Sequence, residues 1–415
     1  MQKIRDLLAS EQLDRAAVLT VIVAALGYFV DIFDLLLFSI VRVQSLKGIG
    51  VPEDQILETG IFLINTQMAG LLVGGILWGI WGDKRGRISV LFGSILLYSV
   101  ANIANGFVHS VEMYALWRFI AGVGLAGELG AGVTLASELF PRAWRGLGTT
   151  FIASIGVLGA VFAALVAELT DWRTAYIIGG IMGLALLLLR INVRESGLFE
   201  KTKSAVNVSR GNFLMLFTNR KLFVRYLAVI FVGAPLWGIV GLFITFTPEF
   251  AKDFGMTIIP KAGTAVLACY AGLFVGDALS GILSQLLRSR RKAVAICLVF
   301  MSVSIAIYVL APHETLFEYY SLCFLMGIGA GYWAMFVQMG AEQFGTNIRA
   351  TAATSIPNMV RGFIIPMSAS FHALIPFTGV TLAGVTVLTV MISLAFLSLL
   401  VLRETFHEDL DYVEI

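Results

Sequence analysis

Twelve apolar runs, most of them close to the length needed to cross a bilayer, alternate along this chain with short polar turns. They fall at 17 to 44, 57 to 81, 88 to 107, 111 to 137, 146 to 168, 172 to 192, 222 to 247, 262 to 287, 293 to 311, 317 to 340, 350 to 374 and 379 to 402. A spanning helix needs about 20 predominantly apolar residues. Only helices or closed barrels satisfy the backbone within lipid. The pattern therefore predicts an all-α membrane protein of twelve transmembrane helices.

Composition supports that reading. Hydrophobic residues make up 58% of 415 positions and charged residues 13%, with a mean hydropathy of +0.88. A water-soluble core of this size does not reach such values. Lys and Arg gather in the turns that would be cytoplasmic if the chain starts inside, which places both termini in the cytoplasm and the protein in the inner membrane. The net charge of +2 reflects this loop bias, so no nucleic-acid partner is expected. The first run is long, carries two Asp and follows a mixed-charge stretch from Gln2 to Arg15, unlike a cleavable signal. Cys269, Cys297 and Cys323 sit in apolar runs without metal-ligand spacing and read as packing residues. No run or turn pairs a nucleophile with a base or forms a phosphate-cradling glycine loop, so neither an enzyme nor a cofactor or metal is expected.

The chain also repeats itself. Glu138, Phe140 and Arg145 follow the fourth run, and Glu342, Phe344 and Arg349 follow the tenth with the same spacing, 204 residues later. Val73 to Asp83 aligns with Val275 to Gln285 at a separation of 202, Gln285 standing where the first copy has Asp83. Two six-helix halves are expected, residues 1–193 and 222–402, joined by a polar linker at 194–221 and followed by a tail at 403–415. Such parallel repeats rock about a central site in many transporters.

Ionisable residues within spans are costly and mark function by default. Asp31 and Asp34, three apart on one helix face and preceded by Gly27, cannot both be ionised cheaply, which suits a proton-coupling pair. A structural pair that caps or bridges helices is the alternative. Arg118 and Glu128 lie on the fourth run among Gly122, Gly124, Gly127, Gly130 and Gly132. Arg118 either grips a carboxylate by two parallel hydrogen bonds or pairs with Asp31 or Asp34. Tyr270, Asp277, Ser280 and Ser284 share a stripe of the eighth run. Thr351, Thr354, Asn358, Arg361, Ser368 and His372 form a stripe along the eleventh that is expected to line a wet cavity, or else a polar helix interface. Arg118 and Arg361 read as the cations within spans, one per half. Gln67, Gln338, Trp237, Tyr332 and Trp333 line the site or pack. The proton-coupling candidates are thus Asp31, Asp34, Glu128 and Asp277. The substrate-binding candidates are Arg118, Arg361, Asn358, Tyr332, Trp333 and Gln338.

Between the second and third runs, Gly79, Asp83, Gly86 and Arg87 form a pattern that resembles the signature loop of the major facilitator superfamily. Within it, Gly27, Asp31, Asp34 and Phe38, then Arg118, Gly122, Gly127, Glu128 and Gly130, then Arg194 to Phe199, are similar to patterns of the metabolite:proton symporters. The tail from Glu404 to Tyr412 departs toward sugar and general facilitator carriers. The resemblance implies alternating access, inward transport of a small organic anion or zwitterion with protons, and gating by Asp83, Arg87, Glu138, Arg145, Glu342 and Arg349. Gly156 and Gly159 in the fifth run, without the proline of antiporters, agree with symport. A monomer is expected. An exporter or antiporter, and a non-transporting sensor on the same fold, are the alternatives.

Overall fold

A computed structural model describes residues 15–85, 87–128, 142–190 and 215–406. Side chains at 15–21, 82–88, 142–151, 153–154, 215, 346–347, 349–350 and 353–354 lie outside that description. The described residues form α1 (Arg15–Gly48), α2 (Ile56–Arg85), α3 (Arg87–Asn105), α4 (Val111–Leu125), α5 (Arg142–Leu169) and α6 (Trp172–Leu189). They continue with α7 (Arg220–Gly238), α8 (Ala262–Leu287), α9 (Arg290–Leu310), α10 (Leu316–Ala330), α11 (Trp333–Glu342), α12 (Thr346–Gly362) and α13 (Ile364–Val401). The tenth span is α10 with α11. The eleventh is α12 with the first part of α13, and the twelfth is the rest of α13 beyond a turn at Gly379, whose φ of 79° suits glycine. The described residues are all-α, and eight of their helices are long and apolar enough to cross a membrane, with shorter apolar helices beside them.

The polar residues between the apolar runs end and begin helices by capping. Ser110 accepts from Met113 N at 3.3 Å, Asp171 from Arg173 N at 2.9 Å, Asn219 from Lys221 N at 2.9 Å and Ser289 from Lys292 N at 3.2 Å. Thr315 and Glu318 form a capping box at the start of α10. Each cap satisfies amides that no lipid could.

Four expectations of continuous helix fail, three of them for a local reason. The seventh span leaves α geometry for a π turn at Ile239–Ile244, where Thr245 N reaches back five residues to Val240 O at 3.2 Å. The tenth breaks at Gly331, whose backbone is pressed on that of Gly276, and Asp277 Oδ1 accepts from Ala334 N at 3.1 Å to cap the restart. The eleventh breaks at Phe363 because Pro366 has no N–H to give the carbonyl four residues earlier. At its other end the first helix runs on to Gly48, past the expected 44. The fourth leaves the α-helix after Leu125 in a turn at Ala126 and Gly127.

The two halves repeat the same close contact. A side chain at Gly122 of α4 would strike the backbone of α2 at Gln67 and Leu71, and one at Gly70 would strike Phe119. In the second half Gly327 meets Cys269 and Leu273, while Gly272 meets Phe324. Gly70 and Gly272 are 202 residues apart, and Gly122 and Gly327 are 205 apart, which matches the spacing of the sequence repeat. Backbones this close are held by dispersion rather than by any hydrophobic force. Across the halves, α5 packs on α8, and α12 and α13 pack on α2.

Candidate functional site

Five residues of α1, Gly27, Asp31, Asp34, Phe38 and Arg42, recur at intervals of three or four and so share one stripe of the helix. Each meets a charged group or is itself charged. Arg190, at the end of α6, donates through both terminal nitrogens to Glu128, one bond measuring 3.1 Å, and the pair is buried. A Cβ at Gly27 would fall 3.2 Å from Glu128 Cδ and nearer still to Oε1 and to Arg190, so glycine makes room for the pair. One turn on, Asp31 Oδ2 accepts from Arg361 Nη2 at 3.2 Å, both side chains being 0% exposed. Asp34 points elsewhere, toward Gly179 of α6 and within reach of the Asn102 amide of α3, and forms no ion pair among the described residues. Phe38 lies 4.5 Å under the guanidinium of Arg118. Arg42 donates to both oxygens of Glu249 at 2.7 Å, with Phe246 4.6 Å below it.

This stripe runs from the face that carries the start of α1, here the terminal face, to the opposite or distal face. The distal face is closed by bonds between halves: Arg42 to Glu249, Thr245 Oγ1 to Ser39 at 3.0 Å, and Lys261 to Glu168 at 2.6 Å. The ion pairs described at the terminal face, Glu128 with Arg190 and Glu342 with Arg290, each stay within one half.

Between these levels lies a small cavity. Leu35, Leu36, Ile64, Met68, Val240 and Ile364 supply its apolar wall, and Gln67, Arg118 and Trp237 supply its polar atoms together with Ser39 and Thr245. Arg118 donates one N–H to Gln67 Oε1, while its Nε and Nη1, Gln67 Nε2 and Trp237 Nε1 have no partner among the described residues. Arg361 stands 5.5 Å from the Trp237 ring, with Nε and Nη1 likewise unpartnered. The unpartnered polar atoms of Gln67, Arg118 and Trp237 are all N–H groups, which suits a negatively charged guest.

The remaining candidates divide. Asn358 donates to Ala126 O at 3.0 Å and Ser368 to Asn65 at 2.7 Å, so with Arg361 the eleventh-span stripe seals the halves together where a wet lining was expected. Thr354 lies outside the described side chains, and His372 is half-buried. Tyr332 is buried and donates to Val232 O at 2.8 Å, which makes it a strut of its own half. Trp333 packs edge-on to Trp237 at 6.1 Å and so backs the cavity. Gln338 is exposed and donates to Glu342 at 3.0 Å, away from the cavity. Asp277 caps α11 as described above, and Ser280 donates to its carbonyl. Glu342 binds Arg290 at 2.6 and 2.8 Å and accepts from Thr405. The gating candidates Asp83, Arg87, Glu138, Arg145 and Arg349 lie outside the described side chains.

Arg118 and Arg361 are not the sole cations within the helices, because Arg42 and Arg190 are 1% and 2% exposed. Continuing the stripe of Asp34 and Phe38 by four would have found Arg42. Arg190, at the last turn of a span, gave no such signal.

The model of the major facilitator superfamily matches residues 18–369. The chain belongs to this family. This facilitator is 27% identical over 371 residues to the cis,cis-muconate transport protein of Acinetobacter baylyi, covering 84% of this chain and 86% of that protein. It is 28% identical over 272 residues to a sialic acid transporter of Escherichia coli, covering 61% of this chain and 64% of that protein. Its fold matches a crystal structure of a D-xylose-proton symporter with a TM-score of 0.69 at 18% identity, over 92% of this chain and 95% of that one. Like its relatives, the facilitator is an integral membrane transporter and not an enzyme.

Proposed function

We propose that this facilitator imports a small organic carboxylate together with protons, by alternating access about the cavity between its halves. The observation that carries the reading is the set of unpartnered N–H donors on Arg118, Gln67 and Trp237 above an apolar wall. A zwitterion's ammonium would find no carboxylate in the cavity lining, only the Gln67 oxygen already engaged by Arg118 and the hydroxyls of Ser39 and Thr245, so the anion is preferred. Relatives named for muconate, sialic acid and niacin, all carboxylic acids, support the class. The tight apolar wall favours a compact body such as muconate or nicotinate.

In this reading Asp34, buried and outside any described ion pair, takes the coupling proton, and Asp31 trades Arg361 for a proton as the halves part. The terminal face is cytoplasmic, since the Lys and Arg bias favours it. Asp83 and its loop set the conformational balance at that face. The halves, 1–193 and 222–402, are the moving units of a monomer.

Proteoliposomes test the proposal with labelled cis,cis-muconate, nicotinate, sialic acid, proline and betaine under an imposed pH gradient. Accumulation of a carboxylate driven by an acid exterior is the expected result. Transport of proline or betaine alone, or uptake indifferent to the pH gradient, would overturn it.

A further inference from the structure

At the terminal face the end of α8, the start of α9 and the end of α13 meet in one cationic surface. Arg288, Lys292 and Arg403 are exposed there and Arg291 is half-exposed. Glu404 fastens the end of α13 to the start of α9, accepting from Ser289 Oγ, from Arg290 N at 3.0 Å and from Arg291 N at 3.4 Å, although it lies 113 residues beyond Arg291 in the chain. Arg403 is thereby carried to the turn that holds the other cations.

The acids of this surface are already engaged. Glu342 accepts from Arg290 at 2.6 and 2.8 Å, from Gln338 and from Thr405, and Glu404 also takes the amides of Thr405 and Phe406. Arg288, Arg291, Lys292 and Arg403 form no ion pair among the described residues. Arg288 is also the one described residue other than glycine with a positive φ, 47°, in the left-handed conformation that closes α8. Glycine or asparagine is usual at such a position because a Cβ there is strained, and strained residues of this kind gather at functional sites.

Toward the bilayer the surface turns apolar. α9 packs on both α8 and α13 and exposes Ile296, Val299, Phe300 and Val303 along one stripe, flanked by Leu286 of α8, 75% exposed, and Leu400 of α13, 74% exposed. Cations at the edge of a lipid-facing wall match the layout of a phospholipid, a charged head over apolar chains. The general bias of Lys and Arg toward one face explains cations in a turn. It requires neither a strained Arg288 nor Arg403 tied to the same turn.

We propose that this surface binds the phosphodiester head of an anionic phospholipid, whose acyl chains lie along α9. Unpaired Arg and Lys meet phosphate oxygens through charge-assisted N–H···O bonds. The ammonium of a zwitterionic head would find no free carboxylate, since Glu342 and Glu404 are both engaged. None of these residues lines the substrate cavity, so the site stands apart from what is carried.

Native mass spectrometry of the purified full chain with phosphatidylglycerol and phosphatidylcholine at equal concentration tests this. Preferential retention of phosphatidylglycerol is expected. Arg288→Gln, Arg291→Gln and Lys292→Gln combined should weaken it by roughly tenfold or more, and Arg403→Gln alone by about fivefold, the effect of one basic residue at an anionic lipid surface. Lys252→Gln, which removes an exposed cation of the distal face, should leave it unchanged. Arg288→Gly separates binding from folding: glycine relaxes the left-handed turn, so the unfolding midpoint without lipid should rise while retention of phosphatidylglycerol falls. Equal retention of both lipids, or a loss in Lys252→Gln as large as in the triple variant, would overturn the proposal. Displacement of the lipid by millimolar inorganic phosphate would also overturn it, by making this a free-phosphate site. So would a large gain in retention on deleting residues 407–415, whose Glu408, Asp409, Asp411 and Glu414 would then be the occupants.

Discussion

Asp31 and Arg361 lie 330 residues apart in the chain and 3.2 Å apart in space, an ion pair with no solvent exposure that joins the two halves. Removing one partner strands the other as an uncompensated buried charge, typically at a cost of about 3 to 5 kcal/mol. Asp31→Asn and Arg361→Gln should each lower the unfolding midpoint in detergent, and the double variant should recover much of the loss. Additive losses in the thermal cycle would show that the two residues act independently.

Arg118 tests the anion reading. Lys keeps the charge but cannot offer two parallel N–H groups, so Arg118→Lys should weaken a carboxylate by roughly 1.5 to 3 kcal/mol, the range for a charged hydrogen bond. Calorimetry on the folded variant measures this. Unchanged affinity would remove Arg118 from the binding site.

Arg42 and Glu249 should act as a latch on the distal face. Glu249→Gln deletes the charge while keeping the shape, and should shift the population toward a distal-open state. Spin labels at the exposed Asp54 and Ile258 should then show a longer distance component by double electron-electron resonance. Identical distributions in wild type and variant would rule the latch out.

For Asp277 the geometry argues a cap. An Asn side chain also accepts from Ala334 N, so Asp277→Asn should retain gradient-driven uptake, while Asp277→Ala should cost about 1 kcal/mol of stability, as caps do. Abolished coupling in a stable Asp277→Asn would restore it to the proton path.

The helices, the repeat and the membrane setting were legible because they depend on local apolar length and on glycines placed at matched spacing, as Gly70 and Gly272 illustrate. Glycine-rich α4 also announced a close approach, which Gly122 makes to α2. Partner choice was not legible. Which face Arg361 turns to Asp31, or Arg190 to Glu128, depends on rotations between helices that no local pattern fixes. Breaks at Gly331 and Phe363 were missed because apolar runs read through them, although Pro366 was a usable signal. Glu249, just past the seventh apolar run, looked like any surface acid until the short helix Thr247–Asp253 brought it to Arg42.

The described interruptions of spanning helices, the turn after Leu125 apart, fall in one half: the π turn of the seventh, the gap at Gly331 and the gap at Phe363. Five of the six charged groups along the α1 stripe, from Glu128 to Arg118, belong to the other half. Stiffness and compliance are thus divided between two descendants of one ancestral unit. The amino-terminal half keeps the electrostatic ruler, and the carboxyl-terminal half is the one that can bend against it. Substitutions that tune what is carried should accumulate in the first, and those that tune how fast it is carried in the second.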